Sequence, residues 1–365
     1  MPRDSQEGDR NPMQPRDMYA APTADDRRMW DLWLSGLHQP AIVAAEEAGV
    51  FSALADAPGT AAELASRLGF DERATSVLVR LLAALRLLVQ VDGRYHLGDE
   101  ARTYLVKGSP WYWAPMASVA VSEWHRDRLL EKLRQRGSDQ VAGPEGTPLV
   151  SSEGRPADDW AAGNVSPQRA REVAARMHAH SVPAAVGVAR HYDFRGVARV
   201  LDVGGGSGCF MVAAAQAHPH LRCTVMELPA MCEAASGYIE AGGVADRVAT
   251  CAVDMFRQPW PRGYEALFFS NIWHDWNVRT CRWLAARAFE ALPSGGRVLL
   301  HEMLLDDDGA GPVTAASFSL LMLLATQGQQ FTSGELKAIL EGAGFARIDV
   351  IATHSYYSVV TGHKA

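Results

Sequence analysis

The stretch LDVGGGSG at residues 201–208 constrains the fold of this 365-residue chain more than any other stretch does. An apolar run ends in Asp202, four glycines follow within five positions, and the apolar segment CFMVAAAQAH comes next. A strand, a glycine-rich turn and a helix in this order are typical of the first unit of a doubly wound α/β sheet. Glycines let a ligand approach the backbone closely, so this turn is predicted to hold one.

The residues after position 166 alternate between strand-like and helix-like segments. Strand-like runs lie at about 198–203, 221–227, 247–253, 264–270, 296–302, 346–352 and 356–362. We expect helices to fill the spaces between the first five runs, which implies parallel crossovers and a doubly wound sheet. Only THSY separates the last two runs, which is too short for a crossover, so the final strand should run antiparallel.

The region from about 26 to 130 carries helical periodicity. Thr60 and Glu63 form a predicted capping box, and Asp71 precedes a helix with one apolar stripe. Two strand-like runs around Asp92-Gly93 then predict a hairpin. Three helices followed by a hairpin indicate a winged helix. Its third helix offers few cations, so packing or dimerisation is favoured over DNA binding; these cations are Arg73, Arg80 and Arg86.

Composition divides the chain into four segments. We predict a disordered tail over 1–25, a winged-helix domain over 26–130, a linker over 131–165 and a ligand-binding domain over 166–365, which begins at a Ser-Pro helix start. The net charge of −7 gives no general attraction to nucleic acid or an anionic membrane. Five cysteines without CxxC pairs suit a reducing cytoplasm, and no apolar run is long enough to span a membrane.

Acidic residues follow the first three strand-like runs of the sheet. Asp202 precedes a G-x-G-x-G turn, whereas a dinucleotide fold would have a glycine in place of Cys209. An acid there suits a ligand that carries an amino group. Glu227 can accept both hydroxyls of a ribose, and Asp254 is placed to bind an adenine amino group. The three acids and the glycine turn predict an S-adenosylmethionine pocket.

In these motifs the sequence resembles the S-adenosylmethionine-dependent O-methyltransferases of the plant caffeate and acetylserotonin type, whose bacterial members modify natural products. The resemblance rests on LDVGGGSG, MELP, DMF, NIWHDW, ALPSGGRVLLHEMLL and LKAILEGAGF, in that order. It implies a class I, Rossmann-like methyltransferase domain with a seven-stranded sheet, and a mostly helical winged-helix domain that forms a homodimer. The candidate cofactor-binding residues are Asp202, Gly204, Gly206, Gly208, Glu227, Leu228, Asp254, Met255 and Ser270.

The resemblance also assigns catalytic residues. His274 in NIWHDW is the expected base, because a neutral imidazole can take a hydroxyl proton as the new bond forms. Glu302 is the expected partner of its other ring nitrogen, and alternation along the strand turns His301 to the opposite face. Asp275 either supports this site or caps the next helix.

One position departs from the pattern of bacterial relatives. Where many carry a second glutamate beside the base, this chain has Gln330, and an amide cannot balance an imidazolium. The change indicates either a different acceptor or neutral variation in a loop. The acceptor pocket is predicted from aromatic, methionine and histidine residues, although methionine and aromatic stripes more often belong to a protein core. The predicted acceptor residues are Met177, His180, Trp273, Phe318, Met322 and Gln330, with Trp124 as a further aromatic wall.

These features lead to O-methylation of a small, hydroxylated aromatic metabolite as the predicted function, with no metal. The alternative is metal-assisted methylation at the β-carbon of a 2-oxo acid, in which the same histidine takes part. A cofactor-sensing DNA-binding regulator would need a basic recognition helix, and a dehydrogenase would need the other glycine spacing.

Overall fold

The N-terminal region is a helical layer completed by one hairpin. The structure is a computed structural model that describes residues 19, 22–113, 122–135 and 165–365, so most of the predicted tail and linker lie outside the described residues. The elements in this region are α1 (Arg27–Leu34), α2 (His38–Glu47), α3 (Val50–Asp56), α4 (Ala61–Leu68), α5 (Glu72–Ala84), β1 (Leu88–Val91), β2 (Arg94–Leu97), α6 (Asp99–Tyr104) and α7 (Glu123–Arg134).

Local sequence signals determine where these elements begin and turn. Thr60 and Glu63 form both hydrogen bonds of the capping box at α4. The Asp71 side chain accepts the Ala74 N–H and so caps α5. Asp92 and Gly93 both have positive φ, as the predicted tight hairpin requires. The winged-helix order of α4, α5 and the β1–β2 hairpin is therefore confirmed.

A seven-stranded sheet forms the C-terminal region. Its strands are β3 (Arg199–Val203), β4 (Arg222–Glu227), β5 (Val248–Ala252), β6 (Ala266–Ser270), β7 (Arg297–Met303), β8 (Ala346–His354) and β9 (Tyr357–His363). The spatial order is β5-β4-β3-β6-β7-β9-β8, with β3 to β7 parallel and β9 antiparallel to both of its neighbours. The predicted sheet and its antiparallel final strand are confirmed.

Helices cover both faces of this sheet. They are α8 (Pro167–His191), α9 (Cys209–Ala217), α10 (Pro229–Ala241), α11 (Val278–Ala291), α12 (Val313–Ala325) and α13 (Ser333–Gly342). The prediction of a helix in every space between the first five strands is wrong for one connection. Residues 253–265, between β5 and β6, contain no helix, because Pro259, Pro261 and Gly263 interrupt any helical run.

The strand order creates a crevice at the carboxyl ends of β3 and β6. β3 lies between β4 and β6 in the sheet. The connections that follow β3 and β6 therefore lead in opposite directions and leave a crevice between them. The loops nevertheless approach closely, since a Cβ placed on Gly204 would lie 2.5 Å from Cδ1 of Ile272. The glycine turn and the NIWHDW segment therefore meet at one edge of the sheet.

The N-terminal helices pack directly on the C-terminal region. Residues of α5, α9 and α12 belong to one apolar core, and Arg80 of α5 forms an ion pair with Glu335 at 2.7 Å. Arg73 donates to the carbonyl of Gly328 at 2.9 Å, and Lys132 donates to that of Thr326 at 3.3 Å. Two buried cations thus anchor the segment that follows α12. Among the described residues, no helix combines the length and apolarity needed to cross a membrane.

Candidate active site

The glycine turn presents bare backbone to the crevice. Gly204, Gly206 and Gly208 all have positive φ, between 57° and 74°, a conformation that side chains with a Cβ rarely adopt. A Cβ added to Gly206 would have no atom within 4 Å, so this position faces open space. Gly208 ends the turn as the N-cap of α9, whose N-terminal N–H groups favour a negative ligand group.

Asp202 lies directly beneath this turn. Its side chain is only 1% exposed, and neither carboxylate oxygen has a hydrogen-bond partner among the described residues. Burial, and then the nearby Glu227, raises the pKa of Asp202 well above its usual value. A buried carboxylate without a partner is costly, and a cation beside it would remove most of that cost.

The acid at the end of β4 is held by backbone groups. Glu227 accepts the N–H of Gly206 at 3.2 Å with one oxygen and that of Leu228 at 2.9 Å with the other. Burial raises its pKa, although these two N–H groups act in the opposite direction. The bonds fix the carboxylate beside the turn, and each oxygen retains a lone pair for a diol.

Three further predicted cofactor residues have protein partners. Asp254 accepts the N–H groups of Phe256 and Arg257 and pairs with the Arg257 guanidinium at 3.3 Å. Ser270 contacts Nδ1 of His301 at 2.9 Å. Met255, next to Asp254, is half-buried, and its carbonyl accepts a hydrogen bond from Trp260.

The NIWHDW segment and the end of β7 place an imidazole beside a carboxylate. His274 is 4% exposed, and its Nδ1 lies 3.0 Å from Oε2 of Glu302. The other oxygen of Glu302 accepts the N–H groups of Ile272 at 3.2 Å and Trp273 at 3.0 Å. The turn that carries His274 therefore also fixes Glu302. A carboxylate at Nδ1 favours the proton on that nitrogen and leaves Nε2 as the basic atom.

The electrostatics favour proton acceptance at His274. Burial lowers the pKa of the imidazole, but the charge and hydrogen bond of Glu302 outweigh burial, and the pKa is raised above its ordinary value. Asp275 lies 3.8 Å from Nε2. Partial burial raises the pKa of Asp275 to about 6, although the imidazole acts in the opposite direction. Asn277, not Asp275, caps α11, so the capping alternative for Asp275 is wrong.

Gln330 shares the same ring nitrogen. Its side-chain amide lies 3.0 Å from Nδ1 of His274, its side chain is fully buried, and its backbone N–H donates to Ser319. The segment that carries Gln330 packs against the catalytic turn so closely that a Cβ on Gly328 would lie 1.7 Å from the His274 carbonyl oxygen. The Gln330 amide and the Glu302 carboxylate thus both lie 3.0 Å from Nδ1.

A group of aromatic rings lies beside the imidazole. Phe318 of α12 meets His274 edge-on, with ring centroids 5.1 Å apart. Trp30 of α1 contacts Phe318 and His180 at 5.5 Å each, and Tyr357 of β9 at 5.8 Å. Burial and the neighbouring His274 lower the pKa of His180 to about 4, so it is neutral. Sequence reasoning missed Trp30 and Tyr357, because nothing in the local pattern links these distant segments to the base.

The remaining predicted acceptor residues divide between surface and core. Met177 is 43% exposed, and Met322 is buried on α12. Trp273 is fully buried in the second apolar core and contacts Phe269, so the prediction that it lines the acceptor pocket is wrong. Its backbone N–H nevertheless donates to Glu302. The ring of Trp124, on α7, meets the ring of its neighbour His125 edge-on.

His301 lies on the face of β7 opposite Glu302, as strand alternation predicts. It is fully buried and stacks on Tyr357 at 4.8 Å with the rings nearly parallel. Burial lowers its pKa to about 3, so it stays neutral. His301 is therefore a core residue.

Comparisons with known proteins agree with this arrangement. A family model of the O-methyltransferase domain matches residues 139–346, and a model of the O-methyltransferase dimerisation domain matches residues 30–107. The chain is 36% identical over 330 residues to 3-hydroxy-5-methyl-1-naphthoate 3-O-methyltransferase from Streptomyces sahachiroi. That match covers 89% of this chain and 91% of the relative. It is 31% identical over 337 residues to acetylserotonin O-methyltransferase from Bos taurus. That match covers 88% of this chain and 93% of the relative.

A solved structure shares the whole architecture. The O-methyltransferase family 2 protein from Planctomyces limnophilus, in complex with apigenin, has a TM-score of 0.82 and 28% sequence identity, and the match covers 97% of this chain and all of that one. The chain therefore belongs to the O-methyltransferase family. It is a methyltransferase that depends on S-adenosylmethionine.

The described residues fit that cofactor at the glycine turn. The partnerless Asp202 carboxylate suits an ammonium group, the open space at Gly206 admits a ligand against the backbone, and Glu227 can accept a ribose diol. Across the described ranges, no group of three or more His, Cys, Asp or Glu side chains is arranged to hold a metal ion.

Proposed function

We propose that this protein methylates a hydroxyl group on a small aromatic molecule, with His274 as the general base. The observation that carries the proposal is an imidazole that faces a carboxylate at Nδ1, meets the Phe318 ring edge-on, and lies in the loop that approaches the glycine turn. Such a site can orient a flat acceptor and remove its proton.

Each of these residues has its own role in the proposed methyl transfer. S-adenosylmethionine supplies a methyl group on a sulfonium, which is a good leaving group, so the protein mainly positions the acceptor and accepts its proton. Nε2 of His274 takes the hydroxyl proton, and Glu302 stabilises the imidazolium that results. Asp275, close to Nε2, supports this charge. The positions that hold the cofactor are the nine predicted from the sequence, of which Glu227 and Gly206 are already bonded to each other.

An aromatic acceptor is supported by the walls and by the relatives. Phe318 and Trp30 offer flat apolar surfaces near the base, and neutral His180 adds a polar edge. Aromatic rings prefer such offset or edge-on partners. The names of the two relatives contain a hydroxynaphthoate and acetylserotonin, and the solved structure holds apigenin. All three are hydroxylated aromatic compounds.

We further propose a homodimer formed through the N-terminal domain, 26–130. Most exposed large apolar side chains of the described residues lie there, including Met29, Leu32 and Trp33 on α1. A patch of this kind marks an interaction surface. The Trp33 ring is 6.3 Å from Phe318, which contacts the base, so a partner bound to α1 would lie close to the acceptor site. The measurement is sedimentation velocity on the protein and on a Met29→Lys, Leu32→Lys variant, which is expected to be monomeric.

The function is tested by incubating the purified protein with methyl-labelled cofactor and a panel of phenols and 2-oxo acids. Label transfer to a phenol oxygen, unchanged by a chelator, is the expected result. Transfer to the β-carbon of a 2-oxo acid that is lost with a chelator would replace the proposal by the metal-assisted alternative.

A further inference from the structure

Helix α1 depends on contacts with other parts of the chain. It spans only eight residues, and an isolated helix shorter than about 12 residues is marginal in water. Asp26 occupies its N-cap position, yet the Asp26 side chain makes no cap hydrogen bond to the helix. The carboxylate is therefore used for other contacts. α1 carries Trp30, which is 4% exposed, so tertiary contacts must set the position of this ring.

The Asp26 carboxylate joins Trp30 to the turn of the β8–β9 hairpin. One oxygen accepts the indole N–H of Trp30 at 3.2 Å, and the other lies 3.0 Å from Nε2 of His354. Burial raises the pKa of Asp26, but the hydrogen bond and charge of His354 outweigh burial and hold that pKa below its ordinary value. Asp26 is therefore ionised at neutral pH, and a single carboxylate contacts both the indole and the hairpin turn.

A second acid on α1 contacts the same turn. Oδ1 of Asp31 accepts the hydroxyl of Tyr356 at 2.8 Å, and it also accepts the hydroxyl of Thr314 at the start of α12. The Arg27 guanidinium lies 5.2 Å from the centre of the Tyr356 ring. α1 is thus attached both to the hairpin turn and to α12, the helix that carries Phe318.

The hairpin turn packs closely on α8. A Cβ placed on Gly187 of α8 would lie 2.6 Å from Cβ of His354 and 2.7 Å from the carbonyl oxygen of Thr353. The same helix carries His180, whose ring centroid lies 5.5 Å from that of Trp30. The turn that holds Asp26 and the ring that faces Trp30 therefore share one supporting helix.

We propose that Asp26 and His354 are positioning residues that hold the Trp30 indole as one wall of the acceptor site. The inference rests on the proposed function, which places the acceptor beside Phe318 and the base. The Trp30 ring contacts the rings of Phe318 and His180, so a rotation of the indole would change the space that a flat acceptor can occupy. A loosened indole should weaken acceptor binding more than it slows the chemical step.

The test combines steady-state kinetics, with a phenol that the unaltered protein methylates, and calorimetry of S-adenosylhomocysteine binding. Asp26→Ala removes both carboxylate contacts and should raise the acceptor KM about tenfold. kcat should fall less than about threefold, because the His274–Glu302 pair is untouched, and S-adenosylhomocysteine affinity should stay within about twofold. Asp26→Asn keeps an oxygen for the indole N–H and should recover most of the lost KM. His354→Phe removes one contact and should raise KM about threefold.

Asp25→Ala is the matched control, because Asp25 precedes the same helix and its carboxylate accepts the backbone N–H of Arg27. This control should leave the acceptor KM and kcat unchanged. An unchanged acceptor KM in Asp26→Ala overturns the proposal. A parallel loss of S-adenosylhomocysteine affinity and acceptor binding also overturns it, because that result indicates general destabilisation of the fold.

Hydrogen–deuterium exchange separates this inference from the proposed function. The backbone amides of α1 should exchange about tenfold faster in Asp26→Ala, while those of α10 should keep their rates. Unchanged exchange in α1 overturns the inference even if phenols are methylated. If the unaltered protein methylates no phenol, the proposed function fails, and the exchange rates still decide whether Asp26 holds α1 in place.

Discussion

The two halves of the crevice are built in different ways. The cofactor half comes from consecutive strand ends, and its key atoms are backbone groups and carboxylates within short motifs, such as Gly206 bonded to Glu227. The acceptor half is assembled from α1, α8, α12 and β9 around His274, and its contacts are mostly between rings. In the proposed arrangement, the cofactor, which is chemically constant, contacts local and contiguous sequence. The acceptor, which varies, contacts side chains that only the tertiary structure brings together.

The largest effect should come from removing the base. His274→Ala should reduce turnover by roughly 10²- to 10⁴-fold, the usual contribution of a positioned general base. S-adenosylhomocysteine affinity, measured by calorimetry, should stay within twofold, because the imidazole belongs to the acceptor half. A large loss of cofactor affinity would show that the two halves are not separable.

Glu302→Gln should come next, with turnover lower by about 10²-fold, because the imidazolium loses its charged partner. The carboxylate raises the pKa of His274 against the effect of burial, so its removal lowers that pKa. A base works when it is neutral. The rise of kcat with pH should therefore move to lower pH in the variant. A profile that keeps its midpoint would contradict the assigned pairing.

Gly206→Ala probes the cofactor half. Its φ of 57° disfavours a Cβ, and the Cβ would enter the space proposed for the ligand. Cofactor binding should weaken about tenfold, since a left-handed conformation alone costs roughly 1–2 kcal/mol. The acceptor KM should be unchanged at saturating cofactor. Gly243→Ala, at another positive-φ glycine with open space around it, is the control and should leave cofactor affinity unaffected.

The smallest effect is expected at the amide beside the base. Gln330→Glu adds a second carboxylate near Nδ1, which should raise the pKa of His274 and move the rise of kcat to higher pH by about one unit. The plateau at alkaline pH should change only a few fold. Gln330→Met, of similar size without charge, should produce no upward shift. An identical shift in both variants would mean that packing, and not charge, controls the base.

The same division explains how far the sequence alone could predict the molecule. The seven strands, the antiparallel direction of the last one and the cap at Thr60 follow from local patterns, and the structure confirms them. The helix expected between β5 and β6 is absent, because Pro259 and Pro261 interrupt any helical run there. Trp273 was expected in the acceptor pocket, but an aromatic residue suits a core equally well, and only packing decides between them.

Other site features depend on contacts that no local pattern encodes. Trp30 lies 244 positions before His274 in the chain, yet the Phe318 ring contacts both the Trp30 ring and the imidazole. A glycine is required at position 328 because its backbone contacts the turn that carries His274. This contact can be recognised only when the two loops are placed together. The roles of the predicted site residues remain predictions that the experiments above address.

The two cations that donate to the segment after α12 limit how this enzyme can be re-engineered. Arg73 and Lys132 belong to the N-terminal helices, yet they hold the carbonyls of Gly328 and Thr326, which come just before Gln330 in the same segment. Burial lowers the pKa of Lys132 to about 8, so part of this anchoring weakens in alkaline solution. Chimeras that exchange the N-terminal helices between relatives would need to keep both cations, or graft the loop together with its anchors, to preserve the geometry of the base.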